Sequence, residues 1–187
     1  MIIALVGLPG SGKSSVGRQL ARRLGVGFTD SDTVIEQRIG EPIRCFFERE
    51  GEPRFRDIEQ DVIARLCAAE PPPGVLATGG GAVLREANRR ALHDRSTVVY
   101  LHSSPEELQR RLRHDTHRPL LQVADPRARL QQLFRERDPL YRETAHFVIE
   151  TGRPSLATLV GMILMQLELA GLVDPARVPS PVTPPVG

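Results

Sequence analysis

The chain has 187 residues, 40% of them hydrophobic, with 25 basic side chains against 23 acidic ones for a net charge of +2. This length suits one α/β domain with a sizeable core, and arginines interspersed with acids argue against a nucleic-acid or membrane-surface patch. Cys45 and Cys67 have neither metal nor redox spacing and are expected as buried thiols of a cytoplasmic protein, with no charged leader before the first apolar run.

That run, Ile2 to Val6, reads as a buried strand, and Val16, Leu20, Ala21 and Leu24 then recur at helical spacing. Between them lies Gly7-Leu8-Pro9-Gly10-Ser11-Gly12-Lys13-Ser14, a G-x-x-x-x-G-K-S loop whose Lys13 is the only lysine beside 24 arginines. Glycines let successive backbone N–H groups turn toward phosphate oxygens, the ammonium reaches the β- and γ-phosphates, and a hydroxyl at the Ser14 position ligates Mg²⁺. The motif predicts binding of a nucleoside triphosphate.

A second short strand is expected around Phe28, with Asp30 and Asp32 just beyond it and a helix from Thr33 to Ile39. Two carboxylates at the carboxyl end of a parallel strand suit one metal contact through water and one hydrogen bond to an attacking hydroxyl; equally, Asp30 or Ser31 could simply cap the helix. Pro42 and Pro53 open two further helices with no strand between them, an insertion of about residues 33–60 suited to holding a substrate. The third strand, Val75 to Ala77, runs into Gly79-Gly80-Gly81, which permits close approach of backbone to a ligand or makes a flexible turn.

Val98 to Leu101 forms the fourth strand, and Ser104-Pro105-Glu106-Glu107 starts a helix with a capping box. A polar stretch, about 113–125, has the character of a lid. Arg56 and Arg142 lie on separate segments, as surface charges or as two forks on one carboxylate. The fifth strand, Phe147 to Ile149, precedes a helix whose apolar face is Leu156, Leu159, Val160, Ile163, Leu164 and Leu167, too interrupted by polar residues for a membrane span. After residue 173 a Pro-rich tail, 174–187, is expected to be disordered. Strands alternating with helices predict a parallel sheet covered on both faces. The five histidines lack ligand spacing.

No strand after the second ends in an acidic residue, and N-K-x-D is impossible without a second lysine, which separates the chain from motor ATPases and GTPases. In the order Gly12-Lys13-Ser14, Asp30-Ser31-Asp32, Phe55-Arg56, Gly79-Gly80-Gly81, Arg118-Pro119-Leu120-Leu121 and Pro139-Leu140-Tyr141-Arg142, the chain resembles the shikimate kinase family from residue 2 to about 168. The resemblance implies a P-loop, nucleoside-monophosphate-kinase-like fold with a five-stranded parallel sheet. It also implies a monomer that transfers the ATP γ-phosphoryl group to the 3-hydroxyl of shikimate with Mg²⁺.

By the same resemblance Ser14 and Asp30 are the metal side and Asp32 partners the hydroxyl, with Lys13 and Arg118 as the other catalytic groups. Gly10, Ser11, Gly12, Ser15, Arg111 and Arg153 belong to the ATP site, Ser15 standing where the family more often has Thr. Arg56, Gly79, Gly80, Gly81 and Arg142 bind shikimate. Gluconate kinase, a nucleoside monophosphate kinase and a nucleotide-binding regulatory module without turnover are the competing readings.

Overall fold

The computed structural model describes residues 1–113 and 123–178. Five short apolar runs make one sheet of order β2-β3-β1-β4-β5: β1 (Ile3–Val6), β2 (Phe28–Asp30), β3 (Val75–Ala77), β4 (Thr97–His102) and β5 (Phe147–Glu150). Every pairing is parallel; in register, Ile3 faces both Val75 and Thr97. Strand residues alternate between the two faces. Ile3 and Leu5 therefore meet Val16 and Leu20 of α1 (Lys13–Leu24) and Val160 and Ile163 of α8 (Leu156–Leu169). Ala4 and Val6 point the other way, among Ile63 of α4 (Glu52–Cys67), Leu92 of α5 (Glu86–Arg95), Leu108 of α6 (Pro105–Leu112) and Leu133 of α7 (Pro126–Thr144).

Three helices lie between β2 and β3. α2 (Ser31–Ile39), α3 (Ile43–Glu50) and α4 enclose a small core of their own around Ile35, Phe46, Phe55 and Val62. Pro42 stands at the N-cap of α3 and Pro53 in the first turn of α4, where a missing N–H costs nothing. Ser104 caps α6 by accepting from the Glu107 N–H at 3.2 Å. The Glu107 side chain turns instead to Arg111 and Thr151, so the reciprocal half of the expected capping box is replaced by a tertiary contact.

Three expectations need correction. Leu156 is exposed, because the buried face of α8 begins one turn later at Leu159. Cys45 is exposed and only Cys67 is buried, since α3 packs through Phe46 instead. Within the segment expected to be a disordered tail, Pro175–Arg177 makes a single 3₁₀ turn, capped by Asp174 accepting from the Ala176 N–H at 3.0 Å. No described helix is long and apolar enough to cross a membrane.

Candidate active site

The sheet order reverses at β1, with β3 on one side and β4 on the other, so the crevice of a doubly wound fold opens at the carboxyl ends of β1 and β3. The two glycine loops leave the sheet there and border a cleft of about 450 Å³, the size of a small-molecule site. Gly10 and Gly12 take φ of 85° and 95°, a conformation that L side chains avoid, and Gly12 caps α1 without any side-chain acceptor. The first N–H groups of α1 and its dipole thus face the cleft, an arrangement that favours phosphate.

Lys13 is buried, and its Nζ donates to the carbonyls of Gly7 at 2.8 Å and Leu8 at 3.0 Å. Ser14 donates to Asp30 Oδ2 at 2.7 Å, while Asp30 Oδ1 accepts from the Asp32 N–H at 2.9 Å. Asp30 therefore does both things that the sequence left open: it caps α2 and it meets the loop hydroxyl. Gly10, Gly12, Ser14 and Ser15 line the cleft, whereas the Ser11 hydroxyl is buried with no partner among the described residues.

Asp32 lines the cleft with Gly79 and Gly80; a Cβ on Gly79 would come within 2.7 Å of its Oδ1. Burial pushes its carboxyl up to about 6, helped by the negative Asp30 and Glu59 and opposed by Lys13. Arg56 of α4 is 11% exposed and donates to Glu59 Oε1 at 2.7 Å. Its guanidinium lies where a side chain on Gly81 would be, so glycine there makes room for it. Glu59 is buried; burial raises its pKa while Arg56 and Arg137 pull it down, and its Oε2 has no hydrogen-bond partner among the described residues.

The second arginine expected beside Arg56 is not brought there. Arg142 is about half exposed, donates from Nε to Asp138 at 3.0 Å and lies over the Tyr100 ring. Arg137 instead lies close enough to Glu59 to pull its pKa down, and the Tyr141 hydroxyl donates to the Gly80 carbonyl at 2.5 Å. The Arg137 Nε is buried without a partner among the described residues. Residues 137 and 141 are one helical turn apart on α7, as are 138 and 142, and the two pairs face different neighbours.

Arg111 and Leu112 of α6 line the opposite wall of the cleft, Arg111 donating to the Ser11 carbonyl at 3.2 Å and the Thr151 carbonyl at 2.7 Å. Arg153 is exposed in the loop after β5 and is not part of the cleft lining. Arg118 and most of the expected lid lie outside the described residues. Among the described residues no three His, Cys, Asp or Glu side chains gather as a metal cluster.

The shikimate kinase family model matches residues 9–168. The shikimate kinase of Paracidovorax citrulli is 63% identical over 175 residues, 93% of this chain and 96% of that protein. The structure of shikimate kinase from Acinetobacter baumannii in complex with shikimate superimposes with a TM-score of 0.85 at 45% identity, covering 92% of this chain and 95% of the other. The shikimate kinase from Aquifex aeolicus gives 0.79 at 33% identity over 92% and 99%. With the phosphate loop, the acidic pair and the triple glycine at one sheet edge, the chain belongs to the shikimate kinase family.

Proposed function

We propose that this chain transfers the γ-phosphoryl group of ATP to the 3-hydroxyl of shikimate, yielding shikimate 3-phosphate and ADP. The observation that carries this reading is a cleft lined by the phosphate loop, Asp32, Gly79 and Gly80, with two buried polar atoms outside that lining, Glu59 Oε2 next to Gly79 and Arg137 Nε, left without a partner among the described residues. Buried polar groups are rarely left unpaired, and a compact polyol acid supplies both acceptors and donors. Arg56 and Arg137 hold the carboxylate, with Gly79, Gly80 and Gly81 admitting the ring close to backbone. The inserted helices α2 to α4 carry Arg56 and so form the acceptor side.

Ser14 and Asp30 suit Mg²⁺: they put two hard oxygens 2.7 Å apart at the mouth of the loop, and this ion prefers few protein ligands with phosphate and water completing its shell. The ion supplies charge neutralisation on the phosphates when bound. Asp32, basic enough at about 6 yet ionised at neutral pH, accepts the hydrogen bond of the attacking hydroxyl and takes its proton. Lys13 and Arg118 stabilise charge on the equatorial oxygens of the transferring group, a step that asks the protein for positioning more than covalent work. Gly10, Ser11, Gly12 and Ser15 surround the phosphates; Arg111 and Arg153 border the base.

Release of ADP measured with shikimate, gluconate and nucleoside monophosphates as acceptors tests the assignment. Turnover with shikimate alone is expected; turnover only with another acceptor, or none, overturns it.

A further inference from the structure

Four side chains tie together the three segments on the side of the cleft away from the acceptor. Glu107 is 8% exposed, pairs with Arg111 one helical turn along α6 and accepts from the Thr151 hydroxyl at 3.0 Å. The Ser103 hydroxyl hydrogen-bonds that of Thr151, and Thr151 is fully buried, with its N–H donating to the His102 carbonyl at 3.0 Å. Arg111 completes the set by donating to the carbonyls of Ser11 and Thr151. Arg111 and the Thr151 hydroxyl thus both meet the one Glu107 carboxylate. Thr151 immediately precedes Gly152 and Arg153, and a Cβ on Gly152 would lie 3.4 Å from Glu107 Oε2.

We infer that Glu107 is a positioning residue for the nucleoside half of the nucleotide site. It aims the Arg111 fork and fastens the Thr151–Arg153 segment to α6, without touching the nucleotide itself. The phosphate loop does not need it: Ser11 N–H bonds the Leu8 carbonyl at 3.1 Å, and Lys13 holds the carbonyls of Gly7 and Leu8. An ordinary surface i,i+4 pair contributes little. Here the carboxylate end is buried and shared with Thr151, while Arg111 stays partly exposed, so loss of the Glu107 charge loosens two walls at once.

The inference rests on the ATP-site reading above, and the test separates the two. Affinities for magnesium ADP and for magnesium pyrophosphate are measured by calorimetry on wild type and on Glu107→Gln, which keeps the shape. ADP affinity is expected to fall about tenfold, the scale of one charge-assisted bond, with pyrophosphate changing less than about twofold. KM for ATP should rise in parallel while kcat and KM for shikimate stay near wild type.

Arg111→Met alone should weaken ADP similarly, and adding Glu107→Gln should cost little more, since both act through one contact. Unchanged ADP affinity, equal weakening of pyrophosphate, or additive losses each overturn the inference. Failure of wild type to bind ADP would instead overturn the ATP-site reading. Should Glu107→Gln not fold, Thr151→Val removes one donor at constant shape and is expected to show the same split at about threefold; no split there also overturns it.

Discussion

At the scale of single residues, the acceptor side depends on which arginine of α7 faces the cleft. Arg137→Ala should raise KM for shikimate by roughly 10- to 100-fold with KM for ATP close to wild type, as for loss of a charge-assisted bond to a desolvated carboxylate. Arg142→Ala, which removes a half-exposed ion pair with Asp138, should change either KM less than about twofold. Steady-state kinetics on the two variants decides between them, and the reverse pattern would restore Arg142 to the site. Asp32→Asn keeps shape and burial but accepts no proton; kcat should fall by about 10² to 10⁴ with little change in ADP affinity. A kcat within fivefold of wild type would remove Asp32 from the chemistry.

Elements explain why part of the site was legible in the sequence and part was not. The phosphate loop, Asp30 and Asp32, and the glycines after β3 each follow a strand directly, so a correct strand assignment carries them to the sheet edge. Arg137 was hidden by Pro139. A proline within α7 weakens the local helix signal, and with it the 100° turn per residue that pairs Arg137 with Tyr141 and Asp138 with Arg142. The local pattern shows Glu107 only as part of the α6 capping box, whereas its partner Thr151 lies 44 residues away, a distance that no local pattern spans.

The same limit hid the stacking of His93 of α5 on His146 before β5, with centroids 4.3 Å apart. His146 accepts the Val98 N–H at its Nδ1 at 2.9 Å, so the fold requires it neutral, and burial and His93 lower its pKa from the ordinary 6.5. As pH falls below about 6.5 the unfolded chain takes up the proton first, so stability should decline there and continue to decline toward the lower folded pKa. Thermal melts between pH 8 and 5 should show a shallower decline for His146→Asn, whose amide oxygen can still accept from Val98; identical slopes would acquit the histidine.

For the whole molecule, ligand binding and folding are linked through the crevice at the end of β1. Magnesium ADP at about 100 times its Kd should stabilise the native state by about 2.7 kcal/mol, which for a chain of this size is roughly 5 to 11 °C in Tm. Lys13→Met should shrink that rise to less than about 3 °C, because the buried ammonium of the phosphate loop is gone; an undiminished shift would place the nucleotide elsewhere. The central position of β1 also bears on how the chain is made. Its two neighbours are β3 and β4, so β1 has no partner on either edge until β3 is made and only one until β4 is made. At about 10 residues per second, Ile3 to Val6 wait roughly 7 s for β3 and a further 2 s for β4. Until β3 is made, an apolar strand with two open edges is exposed on the nascent chain. Early binding by a holdase chaperone is therefore favoured over early folding, and truncations ending between β3 and β4 should aggregate where the intact chain does not.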